Sequence, residues 1–146
     1  MNERSYPDHP WIGVGGIIFQ EDRVLLIKRG KEPGLGLWSI PGGIVEVGET
    51  AAEALQREME EETGLEVETI GLVEVFERIF PDKEGRILYH YVILDYLCVL
   101  KGGRLAAGSD VTEAAFFPRS QLVSLGVAPE ATRVIEKAYA MIEVFS

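Results

Sequence analysis

Gly43-Ile-Val-Glu-Val-Gly-Glu-Thr-Ala-Ala-Glu-Ala-Leu-Gln-Arg-Glu-Met-Glu-Glu-Glu-Thr-Gly-Leu65 is the stretch from which the rest of this 146-residue chain is read. Local chemistry bounds a helix within it. Thr50 followed three residues later by Glu53 is a capping box, in which the hydroxyl accepts from one orphan amide and the carboxylate from another. Gly64 suits the left-handed position just past a helix end. At about 3.6 residues per turn, Ala52, Leu55 and Met59 share an apolar stripe. On the same wheel Glu62 falls almost in line with Leu55, and Glu58 and then Glu61 fan out along the stripe's edge. Three carboxylates near the core side, three and four residues apart, repel one another and resist desolvation, so their pKa values should rise unless a cation intervenes. The partial negative charge at a helix C-terminus adds to that cost. Arg57 can reach Glu61 or Glu53 one turn away, and a single guanidinium cannot neutralise the whole set.

A divalent cation could. Carboxylate oxygens in this number suit Mg²⁺, Mn²⁺ or Ca²⁺, and Mg²⁺ commonly shares a few carboxylates with substrate phosphates. The plain alternative is a solvated acidic helix face. Spacing favours the metal. Gly43, Glu49, Arg57, Glu58, Met59, Glu61, Glu62, Gly64 and Leu65 match every fixed position of G-x5-E-x7-R-E-U-x-E-E-x-G-U, U being a bulky aliphatic residue. The chain thus resembles the Nudix hydrolases, and the likeness extends back through Gly36-Leu37-Trp38-Ser39-Ile40-Pro41-Gly42. Tyr6-Pro7, Lys28-Arg29-Gly30-Lys31 and Tyr89-His90-Tyr91-Val92-Ile93-Leu94-Asp95 look more like the small ADP-ribose pyrophosphatase branch.

The resemblance implies an α/β (α+β) Nudix fold, a mixed β-sheet sandwiched between helices, as one domain over residues 1–146. It implies Mg²⁺ or Mn²⁺ held by Glu58, Glu61, Glu62 and the Gly43 carbonyl, with Arg57 paired to Glu49 to orient the glutamates. A further acid, Asp110 or Glu113, is implied as metal ligand or general base, against the alternative of a plain surface turn. The expected reaction is hydrolysis of a nucleoside diphosphate linked to another group, ADP-ribose to AMP and ribose 5-phosphate first. Nucleoside triphosphates, including oxidised guanine nucleotides, come second. A nucleotide-sensing domain without turnover and a structural domain whose acidic helix binds Ca²⁺ are the rivals from other classes. A homodimer is an expectation from the family alone.

Composition narrows the partners. The net charge of −10 argues against a nucleic-acid backbone, which needs a basic footprint. Residues 46–68 hold nine glutamates against Arg57, so most of the acidity is local. An anionic substrate approaches such a region only if metal ions cancel the field. Cys98 is the only cysteine and lies in an apolar run, as an inert core thiol does. Residues 1–6 lack the layout of a signal peptide, and no run reaches the roughly 18 apolar residues of a membrane span. A cytoplasmic protein is expected.

Elsewhere, residues 12–19 and 24–27 read as a hairpin, with Gly13, Gly15 and Gly16 marking close backbone approach or a bulge. Arg29 leads the Lys28–Lys31 cations as a phosphate-facing candidate, since its planar fork grips oxygens in pairs; a solvated loop is the alternative. Trp38 begins a short strand, as core packing or as part of a substrate loop, and Pro41-Gly42-Gly43 reads as a tight bend. Residues 72–80 and 86–100 form a long hairpin. Its second strand is apolar on both faces, His90, Val92, Leu94, Tyr96 and Cys98 opposing Tyr91, Ile93, Asp95 and Leu97, which places it mid-sheet. Asp95 and His90 are read as satisfied core residues. Phe76 and Arg78 alternate on the partner strand as candidate base and phosphate contacts. A short strand at 114–117 and a short helix at 118–125 precede a core-facing helix over 130–145, with Ala131, Val134, Ile135, Ala138, Met141, Ile142 and Phe145 at helical spacing.

Overall fold

A computed structural model describes the backbone of residues 4–145 and the side chains of residues 4–142. The side chain of Phe145, expected on the core face of the last helix, lies outside that range. So do the first three residues of the segment read for a leader.

The chain runs β1 (Trp11–Ile17), β2 (Phe19–Gln20), β3 (Arg23–Arg29), β4 (Trp38–Ser39), β5 (Gly42–Ile44), α1 (Ala51–Thr63), β6 (Leu65–Pro81), β7 (Ile87–Gly103), β8 (Val111–Pro118) and α2 (Pro129–Phe145). One sheet has the order β5-β1-β7-β6 and is mixed: β1 is parallel to β7, while β5 and β6 are antiparallel to their neighbours. β7 is interior, as its two apolar faces require. One face packs on α1, through Val14, Leu55, Met59 and Cys98. The other packs on α2, through Ile17, Val73, Leu97, Val134, Ile135 and Ala138. This is the mixed sheet between helices that the sequence suggests.

Five local expectations differ. The run 12–19 is not one strand of a hairpin with 24–27. It breaks at Ile18, whose carbonyl accepts from the Leu25 amide at 3.0 Å, and β2 and β3 join β4 and β8 in a second sheet. Gly42 and Gly43 do not bend tightly. They form an edge strand paired to Gly15 and Val14 of β1. Each strand of the long hairpin has 17 residues, because β6 starts directly after α1. Residues 119–121 make only a 3-10 turn. On α1, Ala54 is buried where Ala52 was expected.

Helix α1 is limited as its sequence dictates. The Thr50 hydroxyl accepts from the Glu53 amide at 3.1 Å, and the Glu53 carboxylate accepts from the Thr50 amide at 2.8 Å. Gly64 closes the helix at φ 74°, its amide bonded to the Glu60 carbonyl. Leu55 and Met59 are fully buried, each worth roughly 1.5–3 kcal/mol of transfer free energy. Gly16 lets the helix approach β1, since a Cβ there would come within 2.7 Å of the Met59 methyl.

Candidate active site

Arg57 joins the loop before α1 to the helix. Its Nε and Nη2 donate to the two oxygens of Glu49 at 2.7 and 2.9 Å, and Nη2 also donates to the Ile44 carbonyl at 3.0 Å. Its Nη1 donates to Glu58 at 2.7 Å and, more weakly, to Glu61 at 3.4 Å. Glu53 caps the helix instead of meeting Arg57. The guanidinium holds the Glu49 carboxyl down at about 2, and Glu49 in turn raises Arg57 further above its ordinary range.

The three outer glutamates are graded by burial as the helical wheel orders them. Glu62 is 8% exposed and is buried with the core. Glu58 is half-buried and Glu61 exposed. Burial pushes Glu62 up to about 7, against the stabilising bond its Oε1 accepts from the Gly42 amide at 2.9 Å; the charges of Glu58 and Asp110 push the same way. Burial also raises Glu58, with Arg57 opposing. The Glu58 carboxyl lies directly against the Gly43 backbone, where a Cβ would be 2.2 Å from its Cδ. Edge strand β5 thus brings Gly42 to Glu62 and Gly43 to Glu58.

Among the described residues no three acidic, histidine or cysteine side chains already converge as a closed ligand set. The chemistry of the donors nonetheless fits a hard dication. Two partly desolvated carboxylates, Glu58 and Glu62, stand beside each other above their ordinary pKa, and among the described residues only Glu58 of the two has a cation in contact. Oxygen ligands of this kind select Mg²⁺ or Mn²⁺ over softer metals.

Beside these groups opens a cavity of about 620 Å³, a volume suited to a small-molecule ligand. Its floor is the α2-facing side of the mixed sheet. Arg29, Trp38, Phe76 and Arg78, singled out from the sequence, all line it, as do Gly42 and Gly43. The Trp38 ring meets Phe117 edge-on at 4.8 Å, as core packing requires, and also forms cavity wall. Arg29 donates to the Pro33 carbonyl, and the Arg78 guanidinium sits 4.9 Å from the centre of the Phe80 ring. Asp110 and Glu113 lie outside the lining. Asp110 pairs with Lys31 at 2.7 Å, and Glu113 with Lys28 at 3.5 Å.

The expectation that Asp95 and His90 are satisfied core residues fails. His90 Nε2 is buried without a partner among the described residues, as is the Tyr91 hydroxyl. Asp95 is 3% exposed, borders the cavity, and is pushed up to about 7 by burial and by Glu74. Tyr89, Tyr91 and Phe80 also line the cavity, and sequence reasoning passed over them. The alternation along β7 grouped Tyr91, Ile93 and Asp95 on one face; nothing local says that this face stands open beside α2.

The NUDIX domain family matches residues 9–138 of the chain. The chain belongs to the Nudix hydrolase family. This Nudix hydrolase is 42% identical over 117 residues to an ADP-ribose pyrophosphatase of Methanocaldococcus jannaschii, covering 80% of this chain and 67% of that protein. It is 36% identical over 132 residues to the 8-oxo-dGDP phosphatase NUDT18 of Homo sapiens, covering 88% of this chain and 38% of the human protein. The chain thus spans about two thirds of the length of the first relative and well under half of the second. Among solved structures, the MutT NUDIX hydrolase of Burkholderia pseudomallei superposes with a TM-score of 0.76 at 28% identity, over 89% of this chain and 98% of that one. No helix of the described residues is long and apolar enough to cross a membrane.

Proposed function

We propose that the chain, acting as one domain over residues 1–146, hydrolyses the diphosphate linkage of a nucleoside diphosphate joined to another group, with ADP-ribose as first substrate. The observation that carries this reading is that Gly42 and Gly43, which touch the buried Glu62 and the half-buried Glu58, also line a cavity walled by aromatic rings, Arg29 and Arg78. The 42% identity to an ADP-ribose pyrophosphatase supports the choice of substrate. Oxidised guanine nucleotides form a second reading, supported by the likeness to an 8-oxo-dGDP phosphatase.

Glu58, Glu61 and Glu62 with the Gly43 carbonyl are the groups that would hold Mg²⁺ or Mn²⁺. Bound metal supplies Lewis-acid charge at the phosphates and lowers the pKa of water. Arg57, tied to Glu49 and Ile44, keeps Glu58 oriented and is a positioning residue. Arg29 and Arg78 bind phosphate oxygens, and Trp38 and Phe76 bind the flat base or its leaving partner. Of the two candidate proton acceptors Asp110 is the better supported, because its charge bears on Glu62. Water adds to one phosphorus, the bridging P–O bond breaks, and AMP and ribose 5-phosphate leave.

A panel of nucleoside diphosphate derivatives and triphosphates, assayed with Mg²⁺ and with Mn²⁺, tests substrate, reaction and metal together. Release of AMP and ribose 5-phosphate from ADP-ribose is the expected result. Binding of ADP-ribose without turnover under either metal would favour a sensor. A cytoplasmic location suits the single buried thiol, and light scattering would test the homodimer.

A further inference from the structure

The floor of the cavity carries an acid for which the fold supplies no partner. Asp95 shares the α2-facing side of β7 with Tyr91 and Ile93, and it is almost wholly buried at the cavity wall. Among the described residues, no hydrogen-bond donor or cation reaches its carboxyl group. Its pairing neighbour across the hairpin is a second acid, Glu74. The cations that α2 brings to this region, Arg133 and Lys137, are both bound to Glu74.

The surrounding backbone makes room for Asp95 without satisfying it. One carboxyl oxygen lies over Gly15 of β1, where a Cβ would come within 2.2 Å of it. Any other residue at position 15 would push the acid away. A buried carboxyl without a partner costs stability whether it is ionised or carries its proton. A core position would be better filled by Asn with a partner or by Leu. A binding position is different, because the missing hydrogen bonds form when the ligand arrives. The walls nearby, Trp38, Phe76 and Tyr91, are flat rings suited to a planar heterocycle.

We propose that Asp95 is a specificity-determining residue that reads the amino-bearing edge of a nucleobase, the N1/N6 edge of adenine first. The inference rests on the nucleotide reading above and adds which part of the nucleotide is recognised. A protonated carboxyl offers a donor beside an acceptor, which matches the ring nitrogen and amino group of adenine. An ionised one accepts twice, which matches the ring N–H and amino group of guanine. Uracil has no amino group to offer. A site built to hydrogen-bond a group rejects the analogue lacking it, because its own buried polar atoms are then left unpaired.

The test is calorimetric binding of AMP, of purine riboside 5′-monophosphate, which lacks only the amino group, and of UMP. It uses wild-type protein, Asp95→Leu and Asp95→Asn, each with a thermal melt. Wild type should bind AMP about tenfold or more tightly than the other two. Asp95→Leu should bind all three within about twofold of one another and melt no lower than wild type. Asp95→Asn, which keeps a donor beside an acceptor, should keep the preference for AMP. No preference or no AMP binding in wild type, an undiminished preference in Asp95→Leu, or loss of the preference in Asp95→Asn would each overturn the inference. Its failure is separable from that of the diphosphatase reading. Hydrolysis of ADP-ribose without base discrimination removes this inference alone, and discrimination without hydrolysis removes the diphosphatase reading alone.

Discussion

The Glu58 carboxyl rests against the backbone of Gly43, so closely that a methyl group on that glycine would lie 2.2 Å from the carboxyl carbon. Gly43 is the first residue of the signature and Glu58 lies fifteen positions on. Pairing of β5 with β1 and packing of α1 on the same sheet bring them into contact. Gly43→Ala should therefore displace Glu58 without unfolding the protein. We expect the turnover rate on ADP-ribose to fall about 100-fold, as for misplacement of a catalytic group by about 1 Å. Circular dichroism should remain unchanged; full activity in the variant would show that the contact is irrelevant to the chemistry.

Arg57 acts through a planar fork that a point charge cannot copy. Its guanidinium meets Glu49, Glu58 and the Ile44 carbonyl at the same time. Arg57→Lys keeps the charge and loses most of these bonds. Turnover should drop roughly 10- to 100-fold, with KM changing far less, because residues that hold metal-binding carboxylates in place typically matter by that factor. Equal losses from Arg57→Lys and Arg57→Ala would support the fork; retention of wild-type rate by the lysine variant would count against it.

Glu62 separates catalysis from stability. Its carboxyl is buried and pushed up to about 7, so it destabilises the metal-free fold when ionised. Glu62→Gln should lower the rate by roughly three orders of magnitude or more. The metal-free protein should melt no lower than wild type near pH 8. Addition of Mg²⁺ should raise the melting temperature of wild type more than that of the variant, through linkage of binding to folding.

A pH dependence of stability follows from Asp95. Its folded-state value, about 7, stands above the ordinary 3.8, so between those two the folded protein holds a proton that the unfolded chain releases. Stability must then fall as pH rises across that window. Glu74, itself bound by Arg133 and Lys137, is the nearest charge and adds to the shift. Denaturant titrations at pH 5 and pH 8 without metal should show a smaller drop for Asp95→Asn than for wild type. Glu62 titrates in the same range and should keep part of the slope in both.

The cap of α1 gives a purely structural control. Thr50 and Glu53 exchange two hydrogen bonds at its start. Thr50→Ala should cost about 1 kcal/mol, read as a lowered denaturant midpoint, while KM for ADP-ribose stays at its wild-type value.

Much of the site is legible along the chain because helices write their geometry locally. The order of burial of Glu62, Glu58 and Glu61, the capping of α1 and the interior position of β7 all follow from repeat distances of a few residues. The signature spacing likewise carried the family. The path of β1 and β2 was less legible. Ile12 to Phe19 is one apolar run, and the break at Ile18 arises because the chain must pass from one sheet to the other. Pro41-Gly42-Gly43 looked like a bend because glycine tolerates bends; pairing with β1 makes it a strand, and Gly42 is confined there by the Val14 carbonyl, 1.9 Å from where its Cβ would be.

By itself, then, the sequence determined the box helix, its graded carboxylates, the double-faced central strand and membership of the family, all set by short-range periodicity and fixed spacing. Tertiary structure alone decided which face of β7 opens into a cavity, that the Tyr91 hydroxyl is buried there without a partner among the described residues, that Asp95 borders the same cavity, and that β5 delivers Gly42 and Gly43 to Glu62 and Glu58. The physical reason is that burial and hydrogen-bond satisfaction depend on segments far apart in the chain. A residue's own neighbours in sequence carry no record of which distant strand, helix or empty space it will face.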